Sequence, residues 1–246
     1  MTHIVLTRAE PDAKRQLALL SARGHVTTAL PLIAIEPVVI APEVEADLEG
    51  GSVIIFTSAN AVAHGLSYVA NTCRMASTDV FAVGKKTREA LREQGVEAQS
   101  PEREDSEGLL ELLAPEMNLW SQSSTQIALI KGEGGRDLLS SELIERGFGI
   151  TEVNCYRRIW PPITRSDMLY ALDSDQPRFI HIASGETLSR LEELCDLYGV
   201  RAHEKHTVIL PSERVDSQAR ELGWQSRIVV AGASDEALLD ALPKLF

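Results

Sequence analysis

The chain has 246 residues, 44% of them hydrophobic and 5% aromatic, which is enough aliphatic material for two domains of ordinary size. Its 36 acidic and 24 basic side chains give a formal net charge of −12, which opposes nucleic acid and anionic lipid as partners unless a local basic patch overrides it. No apolar run approaches the roughly 18 residues of a membrane-spanning helix, and the amino end lacks the basic flank of a signal peptide. We therefore expect a cytoplasmic protein that binds neither nucleic acid nor membrane.

Six apolar runs rich in Ile and Val predict buried strands. They lie at residues 3–7, 52–57, 79–83, 126–130, 178–183 and 207–210. Stretches of helical periodicity are found at residues 11–23, 85–94, 135–146 and 212–222. Each of these is followed by a glycine that we expect to end the helix in a left-handed conformation, namely Gly24, Gly95, Gly147 and Gly223. Apolar strands alternating with helices predict parallel sheets covered on both faces.

The order of these elements occurs twice along the chain. The segment that begins at residue 3 resembles the one that begins at residue 126, and two further pairs of segments match in the same order. The matched positions are Ile4 with Ile127, Gly24 with Gly147, Ser58 with Ser184, and Gly95 with Gly223. The sequence therefore predicts two homologous α/β halves, each built from three βα units.

Two segments differ from ordinary strand ends, because residues 30–42 and 151–162 are long, extended by composition and closed by proline. They occupy equivalent places in the repeat, so they can run side by side as two linkers that exchange units between domains. The first domain would then comprise residues 1–36 and 160–246, and the second residues 37–158. A tandem split near residue 123 is the simpler alternative.

The loops beyond the carboxyl ends of the predicted strands are the place to look for a ligand site. They carry hydroxyls, amides and cations, with neither a Ser/His/Asp constellation nor a cluster of metal ligands. Such a set binds anions, so we expect an acidic ligand and no metal. The candidate residues are Arg8, Ser58, Asn60, Gly84, Lys85, Lys131, Gly132, Arg136, Ser184 and Ser212.

The glycine-rich stretch "KGEGGRD" at residues 131–137 is not a nucleotide-binding loop. The dinucleotide pattern GxGxxG would need glycine where Asp137 stands, and no Gly-Lys-Ser/Thr closes a phosphate loop. Lys131 and Arg136 instead flank a turn whose N–H groups and cations can hold a carboxylate. A tight βα turn with exposed charges is the alternative.

Other candidates also have ordinary structural interpretations. Ser58 and Ser184 can simply cap helices, a role worth about 1 kcal/mol without any ligand. Lys85 can be a solvated residue of a first helical turn. A cation at a helix N-terminus opposes the helix dipole, however, and this cost indicates an anion nearby.

Tyr156 lies within a predicted linker and is followed by Arg157 and Arg158. We expect its phenol to face the space between the domains rather than a core. A phenol is protonated at neutral pH and can donate to a departing oxygen as a general acid. An amphipathic interface tyrosine is the alternative. Two further expectations are that His181, in an apolar strand, is buried and hydrogen-bonded, and that the three cysteines are thiols.

Six motifs together resemble the uroporphyrinogen-III synthase family. They are "VLTRAEP", "IIFTSANAV", "FAVGKKTREALREQG", "LIKGEGGRDLLSSELIERG", "VNCYRR" and "VILPSERV". The resemblance covers essentially the whole chain. It implies two flavodoxin-like α/β domains with parallel sheets, interleaved and joined by a two-stranded β linker, with the active cleft between them. It also implies that there is neither a metal nor an organic cofactor.

The reaction implied by the resemblance is the cyclisation of hydroxymethylbilane, an open tetrapyrrole with eight carboxylates, with loss of water and inversion of the last ring. Tyr156 matches the family's cleft tyrosine and is the implied proton donor to the leaving hydroxyl. The residues on loops that match the carboxylate-binding cleft are Ser58, Asn60, Lys85, Lys131, Gly132, Arg136, Ser184 and Ser212. Many members read Gly-Pro-Thr-Thr in the last loop, whereas here Ser212 follows Pro211.

Two other classes of function fit the same sequence. One is a non-catalytic two-lobed protein that binds an acidic small molecule, which needs the same anion-binding loops. The other is an interaction module that docks a partner through Arg157 and Arg158. For the enzyme we expect a monomer whose partner is its substrate, with room for transient contact with the preceding and following enzymes of the pathway.

Overall fold

The computed structural model describes residues 2–48, 52–75, 77–120, 122, 125–135 and 137–245. The chain forms two compact units. One comprises Met1–Ala34 and Ile159–Phe246, and the other comprises Ile35–Arg158. Within the described ranges, no helix is both long enough and apolar enough to cross a membrane.

Ten strands and eleven helices are found in the described part of the chain. The strands are β1 (His3–Leu6), β2 (Val26–Ala29), β3 (Ala34–Pro37), β4 (Val53–Phe56), β5 (Asp79–Ala82), β6 (Gln126–Gly132), β7 (Gly149–Ile159), β8 (Phe179–His181), β9 (Thr207–Leu210) and β10 (Arg227–Val229). The helices are α1 (Asp12–Ser21), α2 (Pro42–Asp47), α3 (Ala59–Cys73), α4 (Lys85–Glu93), α5 (Ser106–Met117), α6 (Leu138–Glu145), α7 (Arg165–Leu172), α8 (Gly185–Tyr198), α9 (Ala202–Lys205), α10 (Glu213–Glu221) and α11 (Asp235–Ala241). A short 3-10 helix at Leu242–Leu245 follows α11.

The first unit contains a sheet with the strand order β2-β1-β8-β9-β10. Every neighbouring pair in it is parallel. Counted along the chain within this unit, the order is 2-1-3-4-5, which is that of flavodoxin-like folds. The predicted parallel α/β architecture is confirmed for this unit.

The second unit repeats this arrangement in the order β3-β7-β6-β4-β5. The pairs β7-β6, β6-β4 and β4-β5 are parallel, and an isolated parallel bridge between Phe81 and Gln99 extends the edge beyond β5. Strands β6 and β7 therefore occupy the places of β1 and β2, and strands β4 and β5 occupy those of β8 and β9. The segments matched by the sequence repeat lie at equivalent positions of the two sheets.

The two predicted linker segments lie side by side, because β3 and β7 are neighbours in the second sheet. The Val38 N–H donates to the Cys155 carbonyl at 3.0 Å. The chain passes between the units after Ala34 and after Arg158, so both passages lie on this pair of strands. The longer predicted segment 30–42 is a strand only over Ala34–Pro37.

The predicted helix ends are confirmed at all four glycines, which have positive φ angles of 80° at Gly24, 74° at Gly95, 89° at Gly147 and 90° at Gly223. Helix α6 begins at Leu138, three residues later than predicted. The reason is that Gly134 and Gly135 have φ angles of 70° and 104°, which a right-handed helix cannot contain.

Buried side chains cover both faces of each sheet. In the second unit, Ile54 belongs to the same cluster as Leu66 of α3, whereas Ile55 belongs to the cluster of Leu109 on α5. Adjacent strand residues thus pack into the cores on opposite faces of the sheet, as the pleat of a strand requires. Each fully buried aliphatic side chain stabilises the fold by about 1.5–3 kcal/mol relative to an exposed one. These buried side chains hold in place the strand ends that carry the site.

Candidate functional site

A cleft of about 240 Å³ lies in the second unit, beyond the carboxyl ends of β4, β5 and β6. The glycine-rich turn after β6 and the end of β7 complete its walls. Its lining is rich in hydroxyl and charged groups. The polar side chains that line it belong to Thr57, Ser58, Ser106, Lys131, Glu133, Tyr156 and Arg158.

An irregularity in β7 determines where Tyr156 points. Lys131 of β6 is paired with Asn154, but the next residue, Gly132, is paired with Tyr156. Cys155 is therefore an extra residue on β7, which is a β-bulge. Because the bulge interrupts the usual alternation of strand side chains, Cys155 and Tyr156 are both buried in the same core cluster.

The expectation that Tyr156 lies outside either core is wrong. The residue is 5% exposed and packs with the core of the second unit, because the bulge turns its ring inward. The ring lies against Gly132, where an added Cβ would come within 2.5 Å of the tyrosine Cζ. Glycine at this position is thus explained by the close approach of a ring.

Ser58 caps helix α3 and contacts the Tyr156 phenol. It is the N-cap of α3, where its Oγ accepts the Ala61 N–H at 3.0 Å. The same Oγ lies 3.0 Å from the Tyr156 hydroxyl. A serine hydroxyl has one proton and two lone pairs, so it can serve both partners.

The matched serine of the first unit caps a helix and, among the described residues, contacts no phenol. Ser184 is the N-cap of α8 and accepts the Thr187 N–H at 3.2 Å, with the Thr187 hydroxyl 2.9 Å away. The capping interpretation is therefore confirmed for both serines. The contact with a phenol distinguishes Ser58.

Lys131 lines the cleft, but the chain itself neutralises its charge. Its side chain is 8% exposed, and its Nζ lies 3.2 Å from an Asp137 oxygen and 3.3 Å from a Glu152 oxygen. Two carboxylates of the chain thus already pair with Lys131, which we expected to hold a ligand carboxylate. Arg136, its predicted companion, lies outside the described residues.

The anion that we expected near Lys85 is supplied by the chain. Glu104 Oε2 accepts the Lys85 N–H at the N-terminus of α4, at 3.0 Å. Gly84 leaves room for this carboxylate, because a Cβ there would lie 2.8 Å from the same oxygen. The Lys85 side chain is 58% exposed, and neither Lys85 nor Asn60 lines the cleft.

The remaining predicted residues belong to the first unit. Arg8 forms an ion pair with Asp12 and donates to the Ala233 carbonyl at 2.6 Å. Ser212 occupies the N-cap position of α10, yet within the described chain its side chain makes no capping hydrogen bond. The structure therefore brings Ser58, Lys131, Gly132 and Tyr156 together in one cleft of the second unit. Arg8, Ser184 and Ser212 belong to the first unit.

Ser106 and Arg158 also line the cleft, although neither is among the predicted ligand-binding residues. Ser106 begins α5, which no strong apolar strand precedes, so no loop signal points to it. Arg158 is two residues beyond Tyr156 on β7, a spacing that places two residues on one face of a strand. This spacing predicts that Arg158 shares a face with Tyr156 only if the strand continues beyond Arg158, and β7 does continue to Ile159.

His181 is buried as expected but is not hydrogen-bonded as expected. It is 1% exposed, and neither ring nitrogen has a partner in the described part of the chain. Its strand partners are Leu6 and Ile209, so apolar side chains flank the ring on the sheet face. Burial, followed by the positive charge of Arg8, lowers the pKa of His181 to about 4.

The three cysteines are free thiols, as predicted. Burial raises the pKa of Cys73 and Cys195 to about 12 and that of Cys155 to about 11. They are therefore unreactive thiols packed within the cores. Across the described ranges, no group of three or more His, Cys, Asp or Glu side chains is placed to hold a metal ion.

Together, the fold and the cleft define a two-unit α/β protein with flavodoxin-like sheets and a polar cleft at the carboxyl ends of parallel strands. The chain matches the family described as uroporphyrinogen-III synthase HemD over residues 14–240, and it belongs to that family.

Relatives and solved structures match over nearly their full lengths. The chain is 31% identical to the uroporphyrinogen-III synthase of Escherichia coli (strain K12) over 97% of this chain and 99% of that protein. It is 30% identical to the one from Salmonella typhimurium, with the same coverage. The structure of uroporphyrinogen-III synthetase from Helicobacter pylori 26695 aligns over 100% of both chains with a TM-score of 0.64 at 15% identity. A mutant uroporphyrinogen III synthase from Thermus thermophilus aligns over 99% and 98% with a TM-score of 0.57 at 18% identity, so these two share the fold.

Proposed function

We propose that this protein is a uroporphyrinogen-III synthase, a hydro-lyase that cyclises hydroxymethylbilane with loss of water and inversion of the last ring. The observation that carries the proposal is the 31% identity to a relative named for this activity, over 99% of that relative's length. The geometry of the cleft fits such chemistry, because a phenol is fixed there beside hydroxyl and charged groups.

Tyr156 is the proposed proton donor. The bond between the substrate's hydroxymethyl carbon and its oxygen breaks, the oxygen takes one proton to leave as water, and an azafulvene cation remains. Ser58 is within hydrogen-bond distance of the phenol and can donate a hydrogen bond to the phenolate that results. The azafulvene carbon bonds to the substituted α-carbon of the last ring and gives a strained spiro intermediate, in which the bond from that ring to its original bridging methylene then breaks. The methylene forms the final carbon–carbon bond to the free α-carbon of the same ring, and the proton lost from that carbon returns to the Tyr156 phenolate.

Orientation is the larger part of the proposed catalysis. Because hydroxymethylbilane cyclises unaided to the non-inverted isomer, the protein must hold the chain in a fold from which the inverted ring closes. The Tyr156 ring is suited to this because Gly132 and the surrounding core fix its position. A fixed donor acts on one substrate geometry and leaves others unassisted.

The proposed setting is the cytoplasm, with hydroxymethylbilane as the partner and transient contact with the neighbouring enzymes of the pathway. The free, buried cysteines support a reducing compartment. The substrate has eight carboxylates and the protein a net charge of −12, so binding depends on local charges. Screening over about 8 Å at physiological salt weakens the repulsion from distant acidic side chains.

The test is to add freshly generated hydroxymethylbilane to the protein and to separate the product isomers. We expect the inverted isomer to dominate. If only the spontaneous, non-inverted isomer forms, the proposed activity is wrong. Binding of the bilane without any change in the isomer ratio would instead identify a non-catalytic protein for an acidic small molecule.

A further inference from the structure

Two consecutive arginines near the end of β7 have different surroundings. Arg157 Nε donates to Glu36 Oε2 on the neighbouring β3 at 2.6 Å. Arg158 lines the cleft, and no acidic oxygen among the described residues lies within 4.0 Å of its guanidinium. The first arginine therefore fastens two strands, whereas the second is exposed to solvent at the cleft without an ion-pair partner.

The pleat of the strand explains this difference. Beyond the bulge at Cys155, side chains alternate between the two faces, so Tyr156 and Arg158 share one face and Arg157 takes the other. Both Tyr156 and Arg158 line the cleft, whereas Arg157 does not. Two residues along a strand span about 6.6 Å, so a group bound by Arg158 lies a short distance from the phenol.

The other charges of the cleft do not duplicate Arg158. Lys131 is balanced by Asp137 and Glu152. Glu133 adds a negative charge to the lining. Among the described side chains of the cleft, Arg158 is thus the cation left to bind an anion from solution.

We propose that Arg158 binds a carboxylate of the substrate and is a specificity-determining residue of this cleft. The proposal rests on the proposed function, which supplies a ligand with carboxylates on every ring. A guanidinium binds a carboxylate through two parallel N–H···O bonds, which fixes the direction of the bound group as well as its position. A carboxylate held at Arg158 thereby presents the substrate to Tyr156 in a defined orientation.

The matched experiment compares Arg158→Gln with Arg157→Gln. Both variants remove one positive charge from adjacent positions of the same strand, so the long-range field changes equally. We expect Arg158→Gln to raise the KM for hydroxymethylbilane about tenfold, the effect of losing one charged hydrogen-bond pair. We expect Arg157→Gln to leave KM within about twofold, because its guanidinium does not line the cleft.

Equilibrium binding provides a second readout that does not require turnover. The probe is uroporphyrin, an octacarboxylate, titrated against each variant at low and at physiological salt. We expect Arg158→Gln to weaken binding about tenfold and to reduce the dependence of binding on salt, whereas Arg157→Gln behaves as wild type. Thermal unfolding midpoints within about 2 °C of wild type show that both variants fold.

The outcomes separate this proposal from the proposed function. If wild type forms the inverted isomer and the two variants have equal KM values and equal affinities, Arg158 has no special role and this proposal is overturned. If wild type forms only the spontaneous isomer, the proposed function fails, and the proposal fails with it.

Discussion

The Tyr156 hydroxyl lies 3.0 Å from Ser58 Oγ, which also accepts the Ala61 N–H at the start of α3. One hydroxyl therefore connects the first turn of a helix to the phenol of the cleft. The direction of the Tyr156 O–H bond depends on this serine, whereas the core holds the ring itself. A search for ligand-binding residues would interpret Ser58 as a direct substrate contact.

Replacing Ser58 by alanine should remove both contacts. We expect the free energy of unfolding to fall by about 1 kcal/mol through loss of the cap, and kcat to fall about tenfold because the phenol loses its fixed direction. Thr164→Ala is the matched control, since it removes a capping box at α7 and should lower stability similarly without affecting kcat. Equal kcat values for wild type and Ser58→Ala would show that the serine does not position Tyr156.

Tyr156→Phe tests the proton donor itself. The ring remains in its cluster while the hydroxyl is lost, so we expect the fold to persist and the formation of the inverted isomer to slow by about a hundredfold. Single-turnover assays with separation of isomers measure this rate. An unchanged rate would remove the assignment of Tyr156 as the acid without affecting the assignment of the family.

Gly132→Ala should displace the Tyr156 ring. An added Cβ would come within 2.5 Å of the ring, so we expect a loss of about 1–3 kcal/mol from overpacking together with slower turnover. Gly149→Ala is the control on the adjacent β7, where the three atoms nearest to the new methyl group belong to the flexible end of the Gln126 side chain. Its effect on stability should stay within about 0.5 kcal/mol. Urea unfolding and kcat together test this, and equal behaviour of the two variants would contradict it.

His181 should make stability depend on pH. Its pKa is lowered from 6.5 to about 4 in the folded state, mainly by burial. The unfolded chain therefore binds more protons between these values, so this contribution is fully present above about pH 6.5 and is lost as the pH falls towards 4. The difference in the free energy of unfolding between pH 7.5 and pH 5 should be about 2 kcal/mol from this group alone.

His181→Leu isolates that contribution. Burial also lowers the pKa of His206 and that of His3, but both residues remain in wild type and variant alike. We expect the variant to lose about 2 kcal/mol less than wild type over the same pH interval, measured by urea unfolding. Equal losses in the free energy of unfolding in wild type and variant would mean that His181 has the same pKa in the folded and unfolded states.

Local patterns predicted most of the fold. Apolar runs located both sheets, and the repeated order of segments anticipated that β1 and β6 occupy equivalent places in the two units. The glycines after helices took the left-handed conformation that their position required. These features depend on neighbours in sequence, which periodicity and composition record directly.

The site was less predictable because it depends on pairing between strands. The sequence marks Lys131 as a cation near a glycine-rich turn, but Glu152 reaches it only through the register of β6 and β7. The bulge at Cys155, which turns Tyr156 into the core, leaves no trace in hydrophobic alternation. Glu104 occupies the N-terminus of α4 through a fold-back of the chain that no local pattern records.

The pairing of β1 with β8 has a consequence for synthesis. On the ribosome, Ile4 must wait for its partner Phe179 to emerge, which takes roughly 10–35 s at 5–20 residues per second. The middle portion of the nascent chain, Ile35–Arg158, is complete about 20 residues earlier, roughly 1–4 s before Phe179 emerges. The second unit can therefore fold first, while the amino-terminal strand keeps an open edge until the last third of the polypeptide arrives.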